Sequence, residues 1–420
     1  MTRAQRGVTG SQRTRTHRYT KARSKELSAG SSRAILLVTV LVVAANLRPT
    51  ITAFGSVVSL VAADTGLGPS ALGLLGAVPL LAFAAVSPLV HLVTNALGAE
   101  RAVLVSTLVL MVGTVIRSLP GPVASLWIGT ILIGAAIAVA NVVLPSVVKH
   151  DFPSEVPLVT GLYSAVMAGT AAVASGLALP ISDLGGWRIG IGVWGLLSVV
   201  AAVVWPLRSR GRPAWETPAD HASSGVRSRS VWRSAVAWQV SLVMGTQALT
   251  FYLLVTWLPT IEVSLGVDPV TAGWYSFLYQ IVGIAAGLAV TLFMRGRADH
   301  RAVGVVVSLL LIVAMAGLLI VPNWLVLWIV LAGLSGGSSL VVALALVGER
   351  SHTAAAAGQL SGMAQSVGYL LSAAGPFGAG LLFAATGSWD YPLLAVIVVT
   401  AVQLVLSLYA GRDRFTHPTG

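Results

Sequence analysis

The chain alternates long apolar runs with short polar segments, and the pattern repeats from about residue 34 to residue 410. A run of about 20 apolar residues is long enough to cross the hydrocarbon core of a bilayer as a helix. Lipid-facing backbone must form its hydrogen bonds within the segment, and the strict alternation typical of barrel strands is absent from the sequence. We predict an all-α membrane protein with twelve transmembrane helices, over residues 34–62, 70–92, 102–119, 123–147, 156–181, 187–206, 236–262, 270–294, 303–321, 324–347, 355–385 and 391–410.

Composition agrees with an integral membrane protein. Hydrophobic residues make up 56% of the 420 positions, charged residues make up 10%, and the mean hydropathy is +0.86. The chain has no cysteine, and its seven histidines show no metal-ligand spacing. It also lacks a Ser/His/Asp set and a phosphate-binding loop. We therefore expect no enzyme activity, no metal and no cofactor.

The positive charges are distributed asymmetrically, which predicts the orientation. With both termini in the cytoplasm, 23 of the 26 Lys and Arg fall on the inner side, Arg117 and Arg188 fall on the outer side, and Arg48 lies within a span. The outer side carries the acids Asp64, Asp183, Glu262, Asp268 and Asp390. The net charge of +12 is thus explained by topology and contact with anionic lipid, and nucleic-acid binding is not expected.

The longest polar break divides the spans into two groups of six. The predicted organisation is a disordered basic arm (1–33), a first bundle (34–206), a cytoplasmic linker (207–234), a second bundle (235–410) and a cytoplasmic tail (411–420). The halves echo each other, as in LRPTI at 47–51 and LPTI at 258–261. Such weak internal symmetry is typical of transporters whose substrate site lies near the midplane between two repeats.

Arg48 lies fourteen residues into the first predicted span, about 21 Å along the helix axis and so near its middle. A charge at that depth is costly and normally faces a cavity or a partner. All fourteen acids fall in loops, tails or the last turn of a span, so none matches the depth of Arg48. An unpaired guanidinium suits a small anion or a planar polar solute. Asn46 and Pro49 fit a locally opened helix beside it.

Other polar side chains at membrane depth are candidates to complete the site. They are Asn141, Tyr163, Gln247, Tyr252, Trp257, Gln280, Gln365 and Tyr369. Each alone is as well explained by a hydrogen bond between helices as by a substrate contact. Pro49 and Pro259 are candidate bending points, because proline interrupts the helical hydrogen-bond ladder.

Five motifs stand out along the spans: ANLRPTI, ANVVLPSVVKHDFP at 140–153, GLYSAVM at 161–167, QALTFYLLVTWLPT at 247–260 and GMAQSVGYLLSAAGP at 362–376. Together they resemble the CynX/NimT group of the major facilitator superfamily, which takes in cyanate-type permeases and nitroimidazole transporters. The resemblance covers about residues 34–410. It implies two pseudo-symmetric six-helix bundles, a rocker-switch cycle, a bacterial cytoplasmic membrane, and Arg48 as the central residue for an anionic or nitro-bearing substrate.

The chain also departs from the wider superfamily. The loop after span 2 reads HLVTNALGAERA and keeps only Gly98 and Arg101 of the usual gating motif. These two residues are the gating candidates that the resemblance implies, and the departure puts the gating role of the motif in doubt. The arginine common in span 4 is replaced near Gly129, and span 5 has GLALPI in place of the antiporter G-P motif.

The predicted function is secondary transport of a small, cyanate-like anion or polar organic solute by a monomer in the lipid bilayer. The alternative is efflux of a drug-like or nitroaromatic compound on the same fold. Proton coupling has no obvious carrier, because no carboxylate or histidine lies centrally in a span. Coupling through protonation of the substrate, or no coupling, remain the alternatives.

Overall fold

The structure is a computed structural model of the chain, and it describes residues 33–209, 231–351, 354–413 and 415–416. Three predicted segments fall wholly or partly outside the described residues: the basic arm (1–33), the linker (207–234) and the tail (411–420). The two bundles on either side of the linker are described, apart from residues 352 and 353.

Twelve helical spans, each long and apolar enough to cross a membrane, confirm the predicted number, and the described residues contain no strand. The helices, in the order of the spans, are α1 (33–46) with α2 (Pro49–Thr65) in span 1, α3 (Pro69–Val86) with α4 (Val90–Leu97) in span 2, α5 (Ala99–Ser118), α6 (Val123–Asp151), α7 (Val156–Gly185), α8 (Trp187–Gly192) with α9 (Gly195–Val204) in span 6, α10 (Ala235–Ser264), α11 (Pro269–Met294), α12 (Arg301–Ile320), α13 (Leu325–Glu349), α14 (Ala354–Thr386) and α15 (Asp390–Ala410). Short 3₁₀ turns cover Ser87–Leu89, Trp205–Ser209, Val231–Arg233 and Pro322–Trp324.

Local sequence explains where these helices begin and end. Pro49 and Pro69 occupy the first helical positions of α2 and α3, where a missing N–H removes no hydrogen bond. Asp268 caps α11 by accepting a hydrogen bond from the backbone N–H of Thr271 at 3.1 Å. Gly66 ends α2 in the left-handed conformation, with φ of 69°, which glycine adopts without steric cost.

The even number of spans places residues 33 and 410 on the same face of the bundle. We call this face the terminal face and the other the opposite face. Odd-numbered spans therefore run from the terminal to the opposite face, and even-numbered spans return.

A buried arginine connects the ends of three spans of the first half at the terminal face. Arg208, after span 6, donates from Nε to Glu100 (3.2 Å) and from Nη2 to Asp151 (2.6 Å). Its guanidinium lies over the Trp205 ring, 4.3 Å from the ring centroid. The ends of spans 3, 4 and 6 are thus joined by one cation.

The corresponding ends in the second half are joined by Arg350, after span 10. Its guanidinium donates to the carbonyl oxygens of Ala298, Ala410 and Gly411 at 2.9–3.1 Å. Burial lowers the pKa of Arg350, and the nearby carboxylate of Glu349 opposes this effect. Each half therefore has its own buried arginine that joins the ends of its spans, and neither arginine forms these contacts with the other half.

The two halves meet along span 1 with span 7, span 2 with span 11, and span 5 with span 8. Toward the opposite face, Gly55 lies against the carbonyl of Val255, and Gly73 lies against the carbonyl of Pro376. Neither glycine has room for a Cβ, and small residues allow such close approach of membrane helices. The halves are therefore closed against each other on the opposite side.

Toward the terminal face the halves leave a cavity of about 750 Å³ between spans 2, 4 and 11 and the turn before span 7. Its lining includes Phe83, Val142, Trp232, Gln365 and Tyr369. The structure is thus open toward the terminal face and closed toward the opposite face.

Candidate functional site

Span 1 is broken at Leu47 and Arg48, between α1 and α2. Pro49 begins α2 and has no N–H to donate to the preceding turn. The Arg48 carbonyl instead accepts from the N–H groups of Ile51 (3.0 Å) and Thr52 (3.1 Å), which start the new helix. The locally opened helix predicted from Asn46 and Pro49 is present, and it places Arg48 at the break.

The Arg48 guanidinium reaches across the interface to the second half. Its Nη1 donates a 2.7 Å hydrogen bond to the Tyr252 hydroxyl of span 7, and the guanidinium carbon lies 5.8 Å from the Tyr252 ring centroid. Tyr369, on span 11, lies near this charge. Within the described residues no carboxylate contributes to the electrostatics of Arg48. Guanidinium carries five N–H donors, so most of them remain available to a solute.

One wall residue of the terminal-face cavity lies near this group. Tyr369 lines the cavity, packs edge-on against Phe83 with the ring centroids 5.2 Å apart, and lies near Arg48. Arg48 itself is only partly buried. Tyr369 thus connects the wall of the cavity with the neighbourhood of the guanidinium.

Gln280 takes part in a second polar contact between the halves. Its Nε2 donates to the Ser175 hydroxyl of span 5 at 2.7 Å, and more weakly to the Ser276 carbonyl at 3.3 Å. The Ser175 carbonyl accepts from the Ser56 hydroxyl of span 1 at 2.7 Å. These bonds join spans 1, 5 and 8 one to two turns from Arg48, so Gln280 has a structural role in the closed interface.

Ser175→Ala is expected to weaken this contact, because it removes the acceptor of the short Gln280 bond while the Ser276 bond persists. We expect the free energy of unfolding to fall by about 1 kcal/mol, seen as a melting temperature lower by about 1–3 °C. Ser182→Ala is the matched control, because buried Ser182 lies on the same span but bonds only to Ala178 of its own helix. Equal losses in the two variants would contradict a role for Gln280 at the interface.

Three other candidate residues bond within their own half. Asn46 accepts a 3.0 Å hydrogen bond from Ser198 of span 6 and faces spans 3 and 4, away from Tyr252. Trp257 donates to the Pro376 carbonyl at 2.8 Å. Gln247 donates weakly to the sulfur of Met244 at 3.5 Å. The structure therefore does not bring these side chains together with Arg48.

The remaining candidates are distributed along the cavity and the first half. Gln365 is exposed, lines the cavity and donates to Ser361 at 3.1 Å. Tyr163 is half-buried and packs against the apolar cluster of the first half, and Asn141 on span 4 is half-buried. The candidate site is thus Arg48, Tyr252 and Tyr369, with Gln365 nearer the cavity mouth.

The candidate hinge and gating residues lie where the spans bend or turn. Pro49 begins α2 at the break, and Pro259 lies inside α10, one turn before its end. Gly98 joins spans 2 and 3 with φ of 77°, a conformation that favours glycine. Arg101 follows it as an exposed side chain on the terminal face.

Sequence reasoning missed the burial of Arg117. This side chain is 2% exposed, and its Nη2 donates to the Thr50 carbonyl at 2.7 Å, in the first turn after the break. Gly129, where span 4 lacks the arginine common in the superfamily, lies directly against the backbone of Arg117. Gly113 lies one turn before Arg117 on the same helix, and a glycine there indicates close packing of helices. It does not reveal which carbonyl the arginine would reach.

Known proteins resemble this chain along nearly its whole length. The family model described as Major Facilitator Superfamily matches residues 40–376. The 2-nitroimidazole transporter of Escherichia coli (strain K12) is 36% identical over 391 residues, which are 92% of this chain and 98% of that protein. The cyanate transport protein CynX of the same organism is 26% identical over 375 residues, 88% of this chain and 96% of that protein.

A solved structure shares the fold. It is a bacterial homologue of the human lysosomal transporter Spinster, in an inward-facing and unoccupied conformation. The TM-score is 0.76, the sequence identity is 16%, and the match covers 92% of this chain and 99% of that chain. At this identity the likeness concerns the fold alone.

Proposed function

Because the chain belongs to the Major Facilitator Superfamily and, within it, to the CynX/NimT group, we propose that it carries a small anion or polar organic solute by alternating access, with Arg48 as the substrate's binding partner. The resemblance stated from the motifs is confirmed at the level of the family. The chain is a multi-pass membrane transporter of a small molecule, and not an enzyme. The substrate, its charge and the role of Arg48 are the content of the proposal.

The observation that carries the proposal is the environment of Arg48. A permanent positive charge lies at a helix break near the middle of the membrane, beside a cavity, and no described carboxylate neutralises it. Such a charge is expensive in a membrane unless it has a partner or water. A planar anion supplies that partner through two parallel hydrogen bonds to the guanidinium fork.

The contact from Arg48 to Tyr252 connects binding to the conformational cycle. The two residues belong to different halves, so rocking of the halves changes their 2.7 Å hydrogen bond. A solute that takes over the donors of Arg48 competes with this bond and changes the relative free energies of the two conformations. This is the requirement for a substrate that promotes its own translocation.

For the orientation, we assign the terminal face to the cytoplasm. The exposed Arg101, Arg295 and Arg297 lie there, as the positive-inside rule requires. With this assignment the cavity of about 750 Å³ opens inward. The transporter works as a monomer, since each chain supplies both halves of the site.

Arg48→Gln tests the proposal in proteoliposomes, by counterflow of labelled cyanate and of labelled 2-nitroimidazole, with nitrate and acetate as competitors. We expect saturable counterflow of one probe with the unsubstituted protein. A hydrogen bond to a charged group is worth about 1.5–3 kcal/mol, so the apparent affinity should fall about 10–100-fold in the variant.

Arg297→Gln is the matched control, because Arg297 is an exposed arginine on the terminal face. The apparent affinity of this variant for the labelled probe should equal that of the unsubstituted protein. Folding of both variants is checked by their melting temperatures. If Arg48→Gln is folded and carries the probe with unchanged affinity, the arginine is structural and the proposal fails.

Efflux of a nitroaromatic compound is the second candidate function. It is favoured by the 36% identity to a 2-nitroimidazole transporter and by the aromatic cavity wall of Phe83 and Tyr369. A nitro group presents two planar oxygens to a guanidinium as a carboxylate does, without the full charge. Cells that express the protein should resist 2-nitroimidazole if they export it, and should become more sensitive if they import it.

A further inference from the structure

Glu262 lies in the last turn of span 7, near the opposite face. Its side chain is fully buried, with 0% exposure, and neither carboxylate oxygen has a hydrogen-bond partner in the described structure. The sequence placed this residue among the acids of the outer surface, where water would solvate it. Its burial therefore requires an explanation.

No Lys or Arg of the described helices packed against α10 neutralises Glu262, and Arg48, which bonds Tyr252 on α10, meets that helix about three turns before Glu262. The helices packed against α10 are α2, α11, α13, α14 and α15, and none of them, nor α10 itself, contains a Lys or Arg. Arg233, in the short turn that also contacts α10, lies at the terminal-face end of the helix.

The other titratable groups on these helices are acids or phenols. They are Asp64, Asp268, Tyr275, Tyr279, Glu349, Tyr369, Asp390, Tyr391 and Tyr409, together with Tyr252 on α10 itself. Asp64 pairs with Arg188 at 2.8 Å, Asp268 caps α11, and Asp390 is exposed. None of these groups supplies a positive charge to Glu262.

The position of Glu262 connects it to the closed interface. Two turns earlier on the same helix, the Val255 carbonyl lies against Gly55 of the first half. Between them, Trp257 donates to Pro376 and packs against Trp389, with ring centroids 5.0 Å apart. Span 7 thus carries a close contact with the first half at Val255 and, two turns nearer the opposite face, the unpartnered carboxyl group.

An ionised carboxylate in apolar surroundings is stable only when water or a partner solvates it. In the closed structure the carboxyl group is shut off from bulk solvent and no described group pairs with it, whereas parting of the halves at the opposite face admits solvent to the end of span 7. We infer that Glu262 is a proton-binding site of the opposite-face gate: the carboxylate binds one proton from the water at that face as the halves close, and returns it as they part. One O–H bond forms on closing and breaks on opening.

This inference rests on the alternating access proposed above, but not on Arg48 as the substrate ligand. The closed state holds one proton more than the open state, so acid favours closing and alkali favours opening. The open-to-closed ratio changes by at most about tenfold per pH unit, the limit for a single proton.

The absence of cysteine from the chain allows a direct test with paired spin labels. Leu184→Cys at the end of span 5 and Ile320→Cys at the end of span 9 report on the two halves at the opposite face, and the two native side chains are 84% and 78% exposed. Distances between the labels are measured in nanodiscs from pH 5 to pH 8.5, with no solute added. The population at long distance should grow as the pH rises.

Glu262→Gln in the labelled protein should remain closed over the whole pH range, because the amide has no charge to solvate. Asp268→Asn is the matched control, since it removes an exposed carboxylate on the same face and keeps a helix cap, and its pH response should equal that of the parent. The inference is overturned by a parent protein whose distances do not respond to pH, or by an equal response in Glu262→Gln.

If Glu262→Gln does not give monodisperse protein, Glu262→Asp replaces it. The inference is overturned if the pH at the midpoint of the change in label distance is the same in that variant as in the parent. The label distances need no solute, whereas the counterflow assay depends on Arg48. A normal pH response with failed counterflow therefore rejects the proposed substrate role alone, and the reverse outcome rejects the proton site alone.

Discussion

Gly55→Val is expected to reduce transport at least about tenfold and to shift the protein toward a conformation open at the opposite face. A Cβ at Gly55 would collide with the Val255 carbonyl, which is backbone and cannot rotate away. Overpacking of this type costs about 1–3 kcal/mol or more, comparable with the difference of a few kcal/mol between two conformations of one protein. The added side chain penalises only the closed state, because parting of spans 1 and 7 removes the collision.

Two measurements check this result: counterflow in proteoliposomes, and the distance between labels at Leu184→Cys and Ile320→Cys. Gly161→Val is the matched control, because Gly161 lies in a transmembrane helix with no atom within 4 Å of an added Cβ. It should retain transport and the parent distances. Normal transport by Gly55→Val would mean that spans 1 and 7 do not need to approach closely during the cycle.

Arg208→Met is expected to give the largest loss of stability among the charged residues of the terminal face. The Arg208 and Asp151 side chains are both fully buried, and the ion pair between them measures 2.6 Å. Removing one partner of a buried pair leaves its counter-ion in a poorly solvating environment. His150 stays beside Asp151 at 3.0 Å, so we expect a loss of about 3 kcal/mol in the free energy of unfolding.

The loss should appear as a melting temperature lower by about 3–4 °C in a tryptophan-fluorescence melt. Arg301→Met is the matched control. Arg301 also pairs at 2.6 Å on the terminal face, with Asp299, but both side chains are about half exposed, and exposed pairs contribute little. Hydrogen bonds from Arg301 lower the pKa of Asp299 to about 2, so this pair stays ionised between pH 5 and pH 8.5. Equal melting temperatures for the two variants would show that burial does not decide how much the Arg208 ion pair contributes to the free energy of unfolding.

Several features followed from the sequence because they depend on local constraints. The length of each apolar run and the need of lipid-facing backbone for internal hydrogen bonds predict twelve helices. Proline after Arg48 predicts the break in span 1, since proline cannot donate to the preceding turn. The mismatch in depth between Arg48 and every acid predicts a guanidinium without a carboxylate, as the described structure has it.

The direction in which each polar side chain points did not follow from the sequence. Asn46 lies two residues before Arg48, yet it bonds Ser198 within the first half while Arg48 reaches Tyr252 in the second. In a soluble protein the apolar stripe of a helix marks its inner face. In a membrane span the lipid-facing and core-facing sides are both apolar, so the pattern loses this information.

The sequence by itself therefore determined the class of the protein, its twelve spans, the break at Arg48 and its family, because these depend on composition, segment length and short motifs. Only the tertiary structure decided that Arg48 bonds Tyr252, that Gln280 bonds Ser175, and that Glu262 is buried without a hydrogen-bond partner in the described structure. These contacts depend on how each helix is rotated about its axis and how the two halves are docked. Both are set by packing between residues far apart in the chain.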